Sequence, residues 1–284
     1  MINELELKER LQAIEQNQFH PSAEDDVSEL IPAMLHHIGS TDGNLRDKLI
    51  YSSFSSWILN DNAVDHEQLR KILSVITDEQ HILYKIGEQN TDSVFTRAFS
   101  VLIIPLLLIS NRAKPFITTS EIYEIKRQLL IYLENEKDLR GHVDGKGWAH
   151  SIAHAMDAVD DLVQCGELNK SDLEEILEAI QKVVCLQEMV YTHGEDERIV
   201  TPVIAIIKRG LLSDDEISKW IKKFSEITLT IKTWPEKLYI RSNVKNFLQS
   251  FYFRLHWELE TNRFEVSINQ TLKKINPFVD QEGG

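Results

Sequence analysis

The side chains with the most varied chemistry lie in one short stretch, RGHVDGKGWAHSIAHAMDAVDDLVQC, residues 140–165. Within it, His150, His154 and Asp157 follow one another at intervals of four and three residues. On an α-helix, this spacing places the three side chains on one face. Two imidazoles and a carboxylate on one face could bind a divalent transition metal, or could exchange protons with a substrate without a metal.

The sequence leaves three interpretations of this helix face open. They are a divalent metal site, metal-free acid–base catalysis, and a structural role in which the polar side chains hydrogen-bond to neighbouring helices. Ser151 stands where the zinc-peptidase motif has Glu directly after its first His, so we do not expect metalloprotease chemistry. The cofactor is unknown from the sequence. We expect none, although the pattern leaves a divalent metal open.

The segment VDGKGW predicts a glycine-bracketed turn that leads into a helix from about Trp148 to Gln164. Backbone N–H groups at a helix start attract anions, and Lys146 adds a positive charge. The segment lacks the first glycine and the Ser or Thr of a P-loop. It therefore either holds a small phosphate or carboxylate, or serves only as a turn that needs the backbone freedom of glycine.

The elements that must position these residues are predicted to be helices. Three helix starts, at Thr118, Ser171 and Ser213, show a capping box, because Glu follows each of these residues three positions later. Apolar residues then recur at spacings of three and four, which is typical of amphipathic helices. The sequence shows no alternating strands joined by Asn-Gly or Asp-Gly turns. We predict an all-α fold with about twelve helices.

Apolar helical segments also recur along the chain, each after a more polar helix. Their starts lie 41 to 53 residues apart. This alternation is typical of stacked helical hairpins and predicts an α-α superhelix, a HEAT- or armadillo-like solenoid. We expect one domain over 1–284, with a frayed tail from about residue 276. The five segments are 45–58, 94–107, 147–160, 198–211 and 239–252.

In a solenoid, the second helices of the pairs usually line a concave face. Alignment of the five segments places Lys48, Arg97 and His150 at equivalent positions near helix starts, and Arg241 lies near that position in the last segment. This alignment predicts a stripe of polar residues along the concave face. The candidate ligand-binding residues are Arg97, Lys146, Trp148, His150, His154, Asp157 and Arg241.

The composition restricts the classes of partner. The chain has 31 Lys and Arg against 45 Asp and Glu, and the net charge of -14 disfavours nucleic acid and anionic membranes. Two cysteines are too few for a disulfide framework, so we expect a reducing compartment. The start, MINELELKERLQ, lacks the apolar segment of a signal peptide, and the longest apolar run has nine residues, 101–109. We expect a cytoplasmic protein, and no feature predicts its oligomeric state.

The 140–165 stretch, together with DSVFTRAFS at 92–100 and RSNVKNFLQSFYFRL at 241–255, resembles a bacterial family described as domain of unknown function 2785. The resemblance covers most of the chain, and GKGWAHSIAHAMD is its most specific part. It implies a bacterial cytoplasmic protein with a helical-repeat fold. It implies no activity, cofactor or catalytic residue.

From these observations we predict a binding module that receives a peptide, a protein segment or a small anionic ligand on its concave face. The alternative is an enzyme, a metal-dependent or acid–base hydrolase, that uses the helix face of His150, His154 and Asp157.

Overall fold

The computed structural model of the protein describes residues 2–22, 24–60 and 63–279. Within these ranges there are twelve α-helices, one π-helical segment and one hairpin of two short strands. The prediction of an all-α fold is therefore confirmed. Contacts divide the chain into two compact units, Met1–Glu167 and Leu168–Gly284, and each is described by itself. The single domain over 1–284 stays a prediction.

The first unit contains seven of these α-helices and the hairpin. A π-helical segment, Asn44–Tyr51, runs directly into α3, and the hairpin lies between α6 and α7. The elements are α1 (Glu4–Gln16), α2 (Val27–His36), α3 (Ser52–Leu59), α4 (His66–Ile76), α5 (Ser93–Ala113), α6 (Thr119–Asn135), β1 (His142–Val143), β2 (Gly147–Trp148) and α7 (Ser151–Val163).

The second unit contains the other five α-helices. They are α8 (Lys170–Val184), α9 (Glu195–Arg209), α10 (Asp214–Thr230), α11 (Glu236–Leu259) and α12 (Glu265–Ile275). The helical part ends at Ile275, at the start of the tail predicted from about residue 276. Most of that tail, residues 280–284, lies outside the described residues.

Side-chain caps fix several helix starts where the sequence predicts them. Thr118 and Ser213 form the expected capping boxes at the starts of α6 and α10. At α8, however, the cap is Asn169 and not Ser171, because the Asn169 side chain accepts hydrogen bonds from the backbone N–H groups of Ser171 and Asp172. Asn is as good a cap as Ser, so the helix starts earlier than predicted.

Helix α5 is the core of the first unit and packs against α3, α4 and α7. Sixteen of its 21 residues are buried, and it continues through Pro105 although proline cannot donate a hydrogen bond to the preceding turn. By length and composition alone α5 could cross a membrane, but 83% of its most apolar window is buried inside the protein. This burial identifies α5 as the core helix of a folded unit.

Elements two apart along the chain pack together within each unit. In the first unit α3 contacts α5, α5 contacts α7, and α2 contacts α4. In the second unit α9 contacts α11, and α10 contacts α12. The predicted apolar segments correspond to the π-helical segment with α3, and to α5, α7, α9 and α11.

Arg97 on α5 is fully buried in an ion pair with Glu136. Its Nε and Nη2 donate to the two carboxylate oxygens of Glu136 at 2.7 and 2.8 Å, and Nη1 donates to the Ser93 hydroxyl at 2.9 Å. Burial acts to lower the pKa of Arg97, but the hydrogen bonds and charge of Glu136 outweigh it, and the pKa is raised. Arg97 joins α5 to the residue after α6, so its position in the core gives no support to its prediction as a ligand-binding residue.

We expect Arg97→Met to lower the free energy of unfolding by about 3–5 kcal/mol, because the Glu136 carboxylate would stay buried without its cation. Urea denaturation at neutral pH measures this change. Arg127→Met is the matched control, since Arg127 forms an exposed pair with Glu124, and it should lose about 1 kcal/mol or less. Equal losses in the two variants would contradict the importance of the buried pair.

Candidate functional site

The stretch before α7 forms a small antiparallel hairpin, in which His142 pairs with Trp148 and Val143 with Gly147. Gly147 adopts a positive φ of 79°, a conformation that favours glycine. The glycine-bracketed turn was predicted from sequence, but the strand pairing was not. Because the hairpin occupies residues 142–148, α7 begins at Ser151 rather than at about Trp148.

Arg46, on the π-helical segment, holds the hairpin through its backbone. Its Nη2 donates to the carbonyl oxygens of Lys146 and Trp148 at 2.7 and 2.9 Å, and its Nη1 donates to the carbonyl of Ser40 at 2.5 Å. The hairpin also lies directly on Gly43, where an added Cβ would meet the Lys146 carbonyl oxygen at 2.9 Å. The guanidinium thus fixes both ends of β2.

The guanidinium of Arg46 is completely buried and lies over the rings of Phe95 and Phe99, 4.1 and 4.7 Å from their centroids. No carboxylate of the described residues lies within ion-pair distance of it. Burial lowers the pKa of Arg46 to about 10, which leaves the group charged at neutral pH. Its charge is therefore stabilised by carbonyl dipoles and aromatic faces.

Five aromatic rings follow one another from the surface into the core. The order is His142, Trp148, His150, His154 and Phe99, with successive centroid distances of 5.1, 4.3, 5.9 and 5.0 Å. The Trp148 and His150 rings are stacked, and the other neighbours meet edge to face. Trp148 is 38% exposed, whereas His154 is 8% exposed. We call these five residues the ring series.

His150 occupies the N-cap position of α7 in a left-handed conformation, with φ 48° and ψ 37°. This conformation costs a residue with a Cβ about 1–2 kcal/mol. The backbone N–H of His150 donates to the carbonyls of Arg140 and Gly141 at 3.1 and 3.3 Å, which fixes the unusual backbone. The strained position directs the His150 ring onto Trp148.

Asp47 supplies a carboxylate close to His150. Burial raises the pKa of the Asp47 carboxyl, although the charges of Arg46 and His150 act to lower it. A half-buried carboxylate with a raised pKa, within electrostatic reach of an imidazole, is a candidate for proton exchange with a bound substrate. Neither Arg46 nor Asp47 was a candidate from sequence.

Lys146 does not provide the free positive charge that the sequence suggests. Its Nζ donates to both carboxylate oxygens of Asp92, at 2.6 and 2.8 Å. The pair is exposed to solvent on both sides. An anion at the start of α7 would have to compete with Asp92 for Lys146, so the structure gives this anion site little support.

His154 and Asp157 lie on α7 as predicted, His154 buried and Asp157 half-buried. One turn further, Asp161 is buried and its carboxylate accepts a hydrogen bond from Arg112. Among the described residues, no group of three or more His, Cys, Asp or Glu side chains is arranged to hold a metal ion. The metal site at His150, His154 and Asp157 gains no support from the geometry.

Arg241, the remaining candidate, lies on α11 in the second unit and lines a cavity there. The structure therefore brings Trp148, His150 and His154 together in the ring series and keeps Lys146 on the same hairpin, whereas Arg97 is part of the core. The alignment of the five apolar segments predicts Lys48 as the basic residue of segment 45–58. In the structure, Lys48 is exposed and pairs with Glu15. The residue that reaches the hairpin is Arg46.

The Arg46 position had one signal in the sequence. Arg46 is followed by Leu49 and Ile50, at the spacing of three and four that marks a buried helix face, whereas Lys48 is followed at these spacings by Tyr51 and Ser52. A charged residue on an apolar face indicates a buried, partnered charge.

A family model described as "Protein of unknown function (DUF2785)" matches residues 82–253, more than half of the chain. The chain belongs to this family. The match to DUF2785 includes α5, the hairpin and α7, as well as Arg241. It begins after the π-helical segment, so Arg46 and Asp47 lie outside the matched range. No curated protein and no solved structure shows significant similarity to the chain.

We expect Arg46→Lys to loosen the hairpin, because a lysine keeps the charge but cannot replace a guanidinium that donates to the carbonyls of Lys146, Trp148 and Ser40 together. Leaving these carbonyls without their donor should accelerate amide hydrogen exchange across residues 140–150 by about tenfold or more. Hydrogen exchange with mass spectrometry measures this rate. Lys48→Met is the control for a nearby, exposed cation and should leave the exchange unchanged.

Asp47→Asn tests the raised pKa. Between the ordinary value of 3.8 and the raised value, the folded protein binds more protons than the unfolded chain. Ionisation of Asp47 therefore lowers the free energy of unfolding as the pH rises through this window. We therefore expect the free energy of unfolding of Asp47→Asn, relative to that of the wild type, to increase as the pH rises above 3.8. The difference should level off above the raised pKa.

Urea denaturation at several pH values from about 4 to 8 measures this difference. Asp144→Asn, on the exposed turn of the hairpin, controls for the loss of one negative charge. A relative stability of Asp47→Asn that decreases with rising pH would show that the carboxylate is held in its ionised form instead.

Proposed function

We propose that this protein is a helical-repeat binding module whose first unit receives a peptide or protein segment at Trp148. The observation that carries the proposal is the fixed position of a partly exposed tryptophan. The Trp148 ring lies between the rings of His142 and His150. Arg46 donates a hydrogen bond to the backbone carbonyl of Trp148. Rigid, partly exposed aromatic side chains are the most frequent energetic centres of protein interfaces.

The cost of this arrangement supports a functional role. The first unit buries a guanidinium with no carboxylate partner among the described residues and holds His150 in a strained conformation. Strained residues and buried charges destabilise a fold unless other interactions offset them, and they concentrate at binding and catalytic sites. Here their common effect is to hold the hairpin and orient Trp148.

A peptide fits the surroundings of Trp148 better than the small anion considered from sequence. The nearby cations have partners, because Lys146 pairs with Asp92, Arg140 pairs with Asp138, and Arg46 is buried under the hairpin. What is offered to a ligand is the exposed part of Trp148 and the exposed residue His142. These groups recognise apolar and aromatic side chains.

We also propose that the helices form a HEAT- or armadillo-like α-solenoid. The support comes from within each unit, where elements two apart in the chain pack together, as the corresponding helices of successive repeats do. The five apolar segments would be the inner helices. Composition and the family resemblance favour a bacterial, cytoplasmic protein that binds neither nucleic acid nor membrane.

A second candidate function is acid–base catalysis. The observation that favours it is the raised pKa of Asp47 within electrostatic reach of His150, with His154 one turn further along α7. Asp47 and His150 could accept and donate a proton to a substrate that packs on Trp148. Turnover of a substrate, and not binding alone, would separate this function from the first.

We expect Trp148→Ala to weaken peptide binding by about tenfold or more, because loss of a central aromatic contact typically has an effect of this size. Peptides would be selected for binding to the wild-type protein from a displayed library of random sequences. Fluorescence polarisation of the selected peptides then gives the Kd for each variant.

Trp257→Ala is the matched control, since Trp257 is 71% exposed on α11 and belongs to the second unit. Its Kd should equal that of the wild type, and circular dichroism should confirm that both variants fold. Selected peptides that bind Trp148→Ala as tightly as the wild type would place the binding surface elsewhere. A library that yields no binders would refute the peptide as ligand.

A further inference from the structure

A cavity of about 530 Å³ lies in the second unit between α11 and α12. Its size is within the range of sites for small organic ligands. The α11 side contributes Arg241, Lys245 and Gln249, which follow one another at intervals of four residues on one helix face. The α12 side contributes Asn269, Lys273 and the following Asn276.

The charge of this cavity is opposite to that of the chain. The protein has 45 acidic and 31 basic residues, yet the described residues that line the cavity include three cations and no Asp or Glu. In the part of the chain that the structure describes, neither Arg241 nor Lys245 makes an ion pair or a side-chain hydrogen bond. Further along α11, by contrast, Arg254 binds Glu258 at 2.6 Å.

The spacing of Arg241 and Lys245 is unfavourable without a counter-ion. Like charges four residues apart on a helix repel each other and destabilise it. Arg241 is half-buried, so water screens its charge less than that of an exposed side chain. An anion in the cavity would contact both cations and remove this repulsion. Lys273 adds a third positive charge and also suits the negative end of α12.

We propose that this cavity binds a small organic phosphate. The phosphate lies between Arg241 and Lys245, because a doubly charged group with several acceptor oxygens matches a guanidinium fork and an ammonium together. The organic part packs on the apolar side of the cavity, against Leu272, Ile275 and the exposed ring of Phe278. This site is separate from Trp148 and does not depend on the function proposed above.

Phenyl phosphate is the probe for this site, and isothermal titration calorimetry at low salt measures its Kd. We expect saturable binding that is tighter than that of inorganic phosphate or phenol, since each of these lacks one half of the interaction. Arg241→Gln/Lys245→Gln should weaken binding of phenyl phosphate by about tenfold or more. Lys245→Gln alone, at an exposed position, should give an intermediate loss.

Lys222→Gln/Lys223→Gln is the matched control. It removes two exposed positive charges from α10 in the same unit but leaves the cavity lining unchanged. Binding by this variant equal to the wild type supports the proposal. The absence of saturable phenyl phosphate binding would overturn it. So would equal weakening by the two double variants, or an affinity for inorganic phosphate as high as for phenyl phosphate.

Discussion

The arrangement around Trp148 depends on one buried guanidinium. Arg46 donates to carbonyl oxygens on both sides of Gly147 while its flat face covers two phenylalanine rings of α5. A hairpin with strands of two residues is too short to be stable by its own hydrogen bonds. Contacts with the π-helical segment and with α5 therefore stabilise the hairpin. These two elements also determine the position of Trp148.

The two buried arginines of the first unit show two ways of stabilising a charge. Arg97 has a carboxylate, Glu136, and satisfies its donors within the core. Arg46 has carbonyl dipoles and aromatic faces instead, and burial lowers its pKa. Backbone carbonyls bind a guanidinium less strongly than a carboxylate does, but they allow Arg46 to bind the backbone of a surface hairpin directly. Phe99, the innermost ring of the ring series, lies against the Arg46 guanidinium.

Local sequence signals predicted the parts of the fold that local interactions determine. The helices follow from capping residues such as Thr118 and Ser213 and from apolar spacing, and the apolar segment around Pro105 is the core helix. The sequence also indicated Trp148, His150 and His154, since these residues are neighbours in the chain. Their stacking was not predicted, because it requires the left-handed backbone of His150.

The differences between the expected and the observed surroundings of the charged residues have a common physical origin, which is that a charge does not reveal its partner in the sequence. Arg97 was assigned to a ligand groove because Glu136 lies far away in the chain. The alignment indicates Lys48 because it compares positions counted from the start of each segment, and this count carries no information on which side chain is buried. Lys146 was left free because nothing in the sequence indicates that Asp92 reaches it.

The π-helical segment Asn44–Tyr51 also has a consequence for how the sequence can change. Each residue of an α-helix rotates the chain by about 100°. The number of residues between Arg46 and the buried Phe54 and Trp57 therefore sets the direction of the Arg46 side chain relative to the core. Loss of a single residue from this interval would turn the guanidinium away from the hairpin, even if every remaining side chain were kept. In this segment the number of residues therefore matters for the position of Arg46 as well as their chemical character.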